Sequence, residues 1–360
     1  MRRKSREFHD GAKDGLEPLA PLDLNSIHDF DELLQAMSKT AFGGRSMGEA
    51  ADVLAEMVSD PDCMIIGTFS GAMSVAKMGL LVCEMIDRGW LKAVISTGAL
   101  IAHGFIETLG RVHYKCPVNR SDRELYLQGY NRIYDTLEME TNLDYAEAIF
   151  REVLKGLDRK QVWSSHSLCR ELGRYLAEHT ESPGILRNAY LKGVPVFIPA
   201  FTDSEMGLDM ATHMMRDAIR QGKEFPGALT DFCLQFNPFL DLGAYTQQVL
   251  PAKKLGIFTI GGGVPRNWAQ QMAPYLELLN ARLDIDVPEL RFHYGVRLCP
   301  EPAHWGGLSG CTYKEGVSWG KFVPLEEGGR FAEVLCDATI TWPILLKAVI
   351  QRIEEKAKNK

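Results

Sequence analysis

Six short apolar runs, each closed by glycine or small polar residues and followed by a segment of helical character, restrict the fold of this chain more than any other feature. They occupy residues 63–66, 93–95, 194–198, 256–260, 291–296 and 332–335. Runs of that length between turn residues read as buried strands, and their alternation with helices is the rhythm of a parallel sheet covered on both faces. The expected fold is therefore α/β: a Rossmann-like, doubly wound, mostly parallel sheet. Helices are expected over about 46–59, 72–88, 143–156, 165–179 and 344–358, the last carrying Lys and Arg where they suit the helix dipole. Residues 110–190 interrupt the rhythm as a polar, largely helical insertion. Residues 1–40 read as an N-terminal extension and 41–360 as one catalytic domain, because the runs on both sides of the insertion belong to one sheet. With 360 residues, 46% of them hydrophobic, the chain can fill such a core.

A net charge of −7, with no basic run beyond Arg2-Arg3-Lys4, argues against nucleic acid as a partner. No apolar stretch reaches the length of a membrane span, and the basic N-terminus is not followed by the apolar core of a signal peptide. Eight scattered cysteines (Cys63, Cys83, Cys116, Cys169, Cys233, Cys299, Cys311 and Cys336) form no C-x-x-C pair. Free thiols in a reducing, cytoplasmic setting are expected, with no zinc site. The nine histidines show no H-x-x-x-H or comparable spacing, so His103, His113 and His304 are expected to be structural or solvent-facing and no metal is expected.

In parallel sheets ligands bind beyond the carboxyl ends of the strands. The segments placed there are small, hydroxylated or acidic: 67–71, 96–99, 199–203, 261–263 and 337–338. Gly261-Gly262-Gly263 would let a phosphate approach the backbone at the start of a helix, or would simply make a tight turn. Gly44-Arg45-Ser46-Met47-Gly48 spells G-x-S-x-G, but a helical segment precedes it where a nucleophile elbow needs a strand. Ser46 is expected instead to form a capping box with Glu49. Asp203, Glu205, Asp209, Glu315 and Asp337 fall at the same predicted edge, either as ordinary caps and turn residues or as anions for an amine. Lys321 stands two residues after Trp319 and six after Glu315. A lysine losing hydration against that ring becomes a nucleophilic amine near neutral pH, whereas a surface lysine would only lay its stem across the indole.

The segment 315–321, Glu-Gly-Val-Ser-Trp-Gly-Lys, together with 199–203, 261–264 and 337–338, resembles the deoxyhypusine synthase family in order and spacing from about residue 40 onward. The resemblance implies a homotetramer of Rossmann-like subunits binding NAD and a polyamine at subunit interfaces. In that chemistry NAD takes a hydride from spermidine, diaminopropane leaves, and a lysine captures the aminobutyl group as an imine. The group then passes to an acceptor and the hydride returns. Carried over by position, the resemblance makes Lys321 the nucleophile, Trp319 a cover for the polyamine chain and Glu315 an ammonium or proton partner. Ser70, Ser74, Thr97, Asp203, Gly261, Gly262, Gly263 and Asp337 would line the NAD site, with Asp209, Asn267 and His103 at the substrate.

Several positions depart from the family's pattern. Asn267 stands where the family has histidine, and Trp305 to Gly310 replaces a run containing two aspartates. Ala102 and His103 replace paired glutamates, and Asp209 matches a substrate aspartate only with one extra residue. These departures resemble the deoxyhypusine synthase-like branch and imply an NAD-dependent aminobutyl transferase of homospermidine synthase type acting on a polyamine or related amine through a lysine imine. The alternatives are authentic deoxyhypusine synthesis on a translation-factor lysine and a non-catalytic NAD-binding regulatory paralogue.

Overall fold

The structure, a computed structural model, describes residues 8–230 and 234–359. Arg2-Arg3-Lys4 and Cys233 lie outside the described residues. Six strands, β1 (Cys63–Phe69), β2 (Leu91–Ser96), β3 (Val196–Phe197), β4 (Lys254–Ile260), β5 (Phe292–Leu298) and β6 (Arg330–Val334), form one sheet. Their order is β6-β5-β4-β1-β2-β3 and every pairing is parallel. This is the doubly wound order, in which the chain reverses direction across the sheet between β1 and β4 and opens a crevice at their carboxyl ends.

Alternate side chains of each strand enter two cores. Ile65, Phe69, Val94, Phe258, Val296 and Val334 join the larger one, while Ile66, Ala93, Ile95, Ile257 and Phe292 join the smaller. The larger core takes α1 (Phe30–Ser38), α2 (Phe42–Ser59), α3 (Gly79–Asp87) and α4 (Gly98–Thr108). Within and beyond the insertion come α5 (Asp122–Leu127), α6 (Glu140–Lys155), α7 (Ser165–His179), α8 (Ile185–Lys192) and α9 (Glu205–Arg220). The opposite face is covered by α10 (Phe239–Val249), α11 (Gly263–Gln270) and α12 (Met272–Leu283). Two helices complete the chain: the short α13 (Tyr313–Val317) and α14 (Ala338–Lys358), which returns to the larger core through Trp342, Leu345 and Val349. Such a two-sided sheet needs strands that are apolar throughout, which is why the six runs show little polar alternation.

Four expectations change. Helix α2 starts at Phe42 behind Ala41, so Ser46 lies in its second turn with Oγ directed to the Phe42 carbonyl at 3.5 Å, and caps nothing. Residues 73–77 form turns and α3 begins only at Gly79. Pro343 sits inside α14, which begins at Ala338 because the Asp337 side chain accepts from Thr339 N and caps it. The insertion is less helical than expected at its start, where Tyr114–Lys115, Tyr130–Ile133 and Thr136–Met139 make a small antiparallel sheet. It is also less polar further on, since Leu168, Leu172, Ile185 and Leu186 of α7 and α8 are fully buried in the larger core.

Candidate active site

The crevice between β1 and β4 is closed by short backbone bonds. Ser70 N donates to the Ile260 carbonyl and Gly261 N to the Leu298 carbonyl, tying the ends of β1, β4 and β5 together. Gly261 and Gly263 hold φ values of +74° and +59°, which bend the chain into α11. A Cβ on Gly262 would lie 2.6 Å from Ser309 Cα, so only glycine allows the 309 loop this close. Ser70 Oγ donates to the Gly262 carbonyl and Thr97 Oγ1 to the Gly71 carbonyl at 2.6 Å. Neither Gly262 nor Thr97 caps its helix with a side chain, and the first-turn N–H groups of α11 and α4 face this edge of the sheet. Ser74 is fully buried and donates to the Leu100 carbonyl, fixing the start of α4. Asp203 is exposed just before α9, with its N–H bonded to the Ala200 carbonyl. The Asp337 carboxylate is engaged in capping α14.

Lys321 lies elsewhere in the sheet frame. Its carbonyl accepts from Phe292 N, and Phe292 pairs with Phe322, so the lysine's main chain runs beside the first residue of β5. The fold of this segment is local. Thr312 caps α13 by accepting from Glu315 N, Gly316 lacks a side chain because Phe322 packs where a Cβ would stand, and Gly320 turns the chain at φ +67°. The lysine side chain then crosses to α11, where Nζ donates to Asn267 Oδ1 at 3.1 Å. Lys321 is only 9% exposed, and burial lowers its pKa below the ordinary lysine value, assisted by Arg266 and opposed by Cys311 and Glu315. Among the described residues no carboxylate comes within ion-pair distance of Nζ, Glu315 included.

The Trp319 ring is 64% exposed and its centroid lies 5.9 Å from Lys321 Nζ, at the outer limit of a cation–π contact. Lys321 is therefore dried mainly by the packing between β5 and α11, and the indole is left free to cover a ligand. Trp319, Ser318 and Gly320 border a cavity of about 420 Å³ that also has Glu277, Glu289 and Arg291 on its walls.

Two residues that the sequence did not single out hold this region. Arg266 and Arg297 are both buried and donate to the carbonyls of Ser309 and Cys311, and Arg297 also pairs with Glu333 at 3.3 Å. Glu333 in turn accepts from Tyr313 N, the first residue of α13. Nothing in their spacing distinguishes these arginines from surface ones.

Asp209 and His103 lie across the sheet from Lys321, in the layer of α4, α6 and α9. Asp209 lines a cleft of about 260 Å³ with Ala102, Glu140, Asp144, Glu147 and Glu205. Burial, and then repulsion from Glu147 and Glu205, push its carboxyl up to about 6. His103 is buried beside it and touches Glu138. Of the residues expected at substrate, Asn267 thus meets Lys321, while Asp209 and His103 meet each other's neighbourhood. Within one chain the two groups face opposite layers.

A doubly wound parallel sheet with an uncapped glycine edge at its switch point, and a buried lysine of lowered pKa beside β5, defines a Rossmann-type α/β protein. The chain belongs to the deoxyhypusine synthase family, whose model matches residues 32–349. It is 31% identical to "Probable deoxyhypusine synthase 2" of Methanosarcina acetivorans over 94% of this chain and 91% of that one. It is 29% identical to the "Deoxyhypusine synthase-like protein" of Chlorobaculum parvum over 91% and 88% of the two chains. A crystal structure from Entamoeba histolytica, of a candidate deoxyhypusine synthase, superposes with a TM-score of 0.59 at 11% identity over 92% of this chain and 97% of that one, a likeness of fold.

Proposed function

We propose that the protein is an NAD-dependent aminoalkyl transferase of homospermidine synthase type, carrying an aminobutyl group from a polyamine as an imine on Lys321. The observation that carries this reading is the buried Lys321 amine held by an uncharged amide, with no carboxylate in contact to keep it protonated. As the free amine it adds to the electrophilic carbon of the oxidised donor. The new C–N bond replaces the bond to the leaving diamine, which departs with the transferred proton. The acceptor amine repeats the exchange in reverse, and Lys321 is released unchanged. In this reading Glu315 would relay those protons or hold an ammonium, and Trp319 would lie along the methylene chain.

The glycine edge fits a dinucleotide. Its diphosphate would meet the free N–H groups of α11 and α4, with Ser70, Thr97, Asp203 and Asp337 around them and Ser74 fixing α4 from below. When bound, NAD supplies the acceptor that takes the donor's hydride and later returns it. Acids lost at 102, 305 and 308 are offset by those of the α6–α9 cleft, which suit the remote ammonium groups of an amine. Assembly as a homotetramer would bring that cleft to the Lys321 face of a neighbouring subunit. Free thiols at the seven described cysteines suit a cytoplasmic protein.

The test is to incubate the protein with NAD, spermidine and putrescine, trap with borohydride, and map the adduct by mass spectrometry. An aminobutyl adduct on Lys321 is expected. An adduct-free Lys321 in a sample that still forms product would exclude the lysine imine. The absence of both would favour the regulatory paralogue.

A further inference from the structure

We infer that His103, His113 and Glu138 form a binding site for a divalent transition metal of the zinc class. The three side chains come from α4, from the loop after it and from the small antiparallel sheet, and are 6%, 0% and 1% exposed. Their ligand atoms form one triangle: His103 Nδ1 to Glu138 Oε2 3.2 Å, His113 Nε2 to Glu138 Oε2 2.7 Å, and His113 Nε2 to His103 Nδ1 3.5 Å. A tetrahedral ion with bonds of about 2.0–2.1 Å has ligand edges of roughly 3.3 Å, so the triangle already has the size of one face.

The outer atoms of the trio are arranged as such a site requires. Glu138 Oε1, the oxygen turned away, accepts from Asn142 Nδ2 at 2.8 Å and from Met139 N at 2.9 Å. His103 Nε2 faces Glu205 Oε1 at 4.0 Å, and Glu205 Oε2 is buried with no hydrogen-bond partner among the described residues. His113 Nδ1 faces Glu107 Oε1 at 3.7 Å and Lys77 Nζ at 2.8 Å, and Lys77 is itself paired with Glu107. Metal-bound imidazoles characteristically donate their second N–H to a carboxylate, and each of these rings has one waiting. Without metal, both rings donate to Glu138. A tautomer change in each, with Lys77 keeping its bond to Glu107, frees the inner lone pairs for the ion. Three protein ligands leave a position for water or a ligand donor, and Ala102 and Glu205 place the acidic cleft next to it.

The test uses the full chain after treatment with a chelator. Titrated with Co²⁺, it should develop the visible absorption of a tetrahedral ion at about one equivalent per chain, and Zn²⁺ should abolish it. Glu138→Gln, nearly isosteric, should retain the native circular dichroism and lose Co²⁺ affinity tenfold or more; His113→Gln is the second variant if that one fails to fold. A wild-type chain that gives no such absorption, or a folded variant that binds Co²⁺ as tightly as wild type, would overturn the site.

Discussion

Lys321 Nζ donates to the amide oxygen of Asn267 at 3.1 Å, one turn into the helix that begins at the glycine edge. An amide cannot take the lysine's proton, and it carries no charge that would hold the proton in place. The contact orients the amine, and burial is the main cause that makes it easier to neutralise, with Arg266 adding to it and Cys311 and Glu315 opposing it.

The first prediction follows from that burial. Lys321→Ala should fold, keep its NAD affinity and lose transfer by several orders of magnitude, because the glycine edge is separate from the lysine. Lys321→Arg should fail equally, since a guanidinium does not deprotonate. Borohydride trapping and NAD titration read the two effects apart, and turnover by either variant would remove Lys321 from the chemistry.

Asn267→Asp should move the activity profile in a defined direction. A carboxylate at hydrogen-bond distance favours the ammonium and raises the Lys321 pKa. The rising limb of kcat against pH, which tracks the free amine, should then shift to higher pH with the limiting value retained. Asn267→Ala should lower kcat with a smaller shift. An unchanged pH profile for the aspartate variant would place Lys321 outside the rate-determining protonation.

Asp337 caps a helix and is proposed to meet NAD, and substitutions can separate the two. Its carboxylate caps α14 through Thr339 N at 2.7 Å and Thr339 Oγ1 at 2.8 Å. Asp337→Ala should cost about 1 kcal/mol of stability, whereas Asp337→Asn, a good cap, should cost only a few tenths. If the carboxylate also serves NAD, both variants should weaken its binding by calorimetry while only the alanine lowers Tm. An asparagine variant that binds NAD like wild type would reduce Asp337 to a cap.

The sheet was readable because strands buried on both faces must be apolar and short, and the runs at 63–66, 256–260 and 291–296 could do little else. Helix starts were less readable. Ser46 and Glu49 have the spacing of a capping box, yet α2 begins a turn earlier, at Phe42, and its buried face starts at Met47 and Gly48, where Gly48 packs on the Leu34–Ser38 backbone of α1 and overrides the local signal. The last helix was expected only from about residue 344, but a cap at Asp337 and the burial of Trp342 start it at Ala338 and carry it through Pro343. The Lys321 segment declared itself through residue types that chemistry needs in a row. The acidic cleft and the His103–His113–Glu138 group did not, because each draws on separate segments of the chain that meet only when the insertion folds against α4 and α9.

The last prediction concerns Asp209, whose carboxyl rises from 3.8 to about 6 through burial and then the nearby Glu147 and Glu205. A raised acid binds more protons in the folded chain than in the unfolded one, so the protein loses stability as pH climbs from about 4 to about 6 and stays at the lower level above that. Asp209→Asn removes the ionisation. It should stabilise the ligand-free protein by about 1 kcal/mol at neutral pH, allowing for solvent screening, and by nothing near pH 4. An amine reverses the order. Ammonium groups entering the cleft neutralise the repulsion, so spermidine should raise the Tm of wild type more than that of Asp209→Asn, and its affinity for wild type should increase as pH rises through about 6. Melting curves at both pH values, with and without spermidine, test each sign. A variant less stable than wild type at neutral pH without amine would show that Asp209 is a favourable structural anion, and equal spermidine shifts in the two proteins would take the amine out of this cleft.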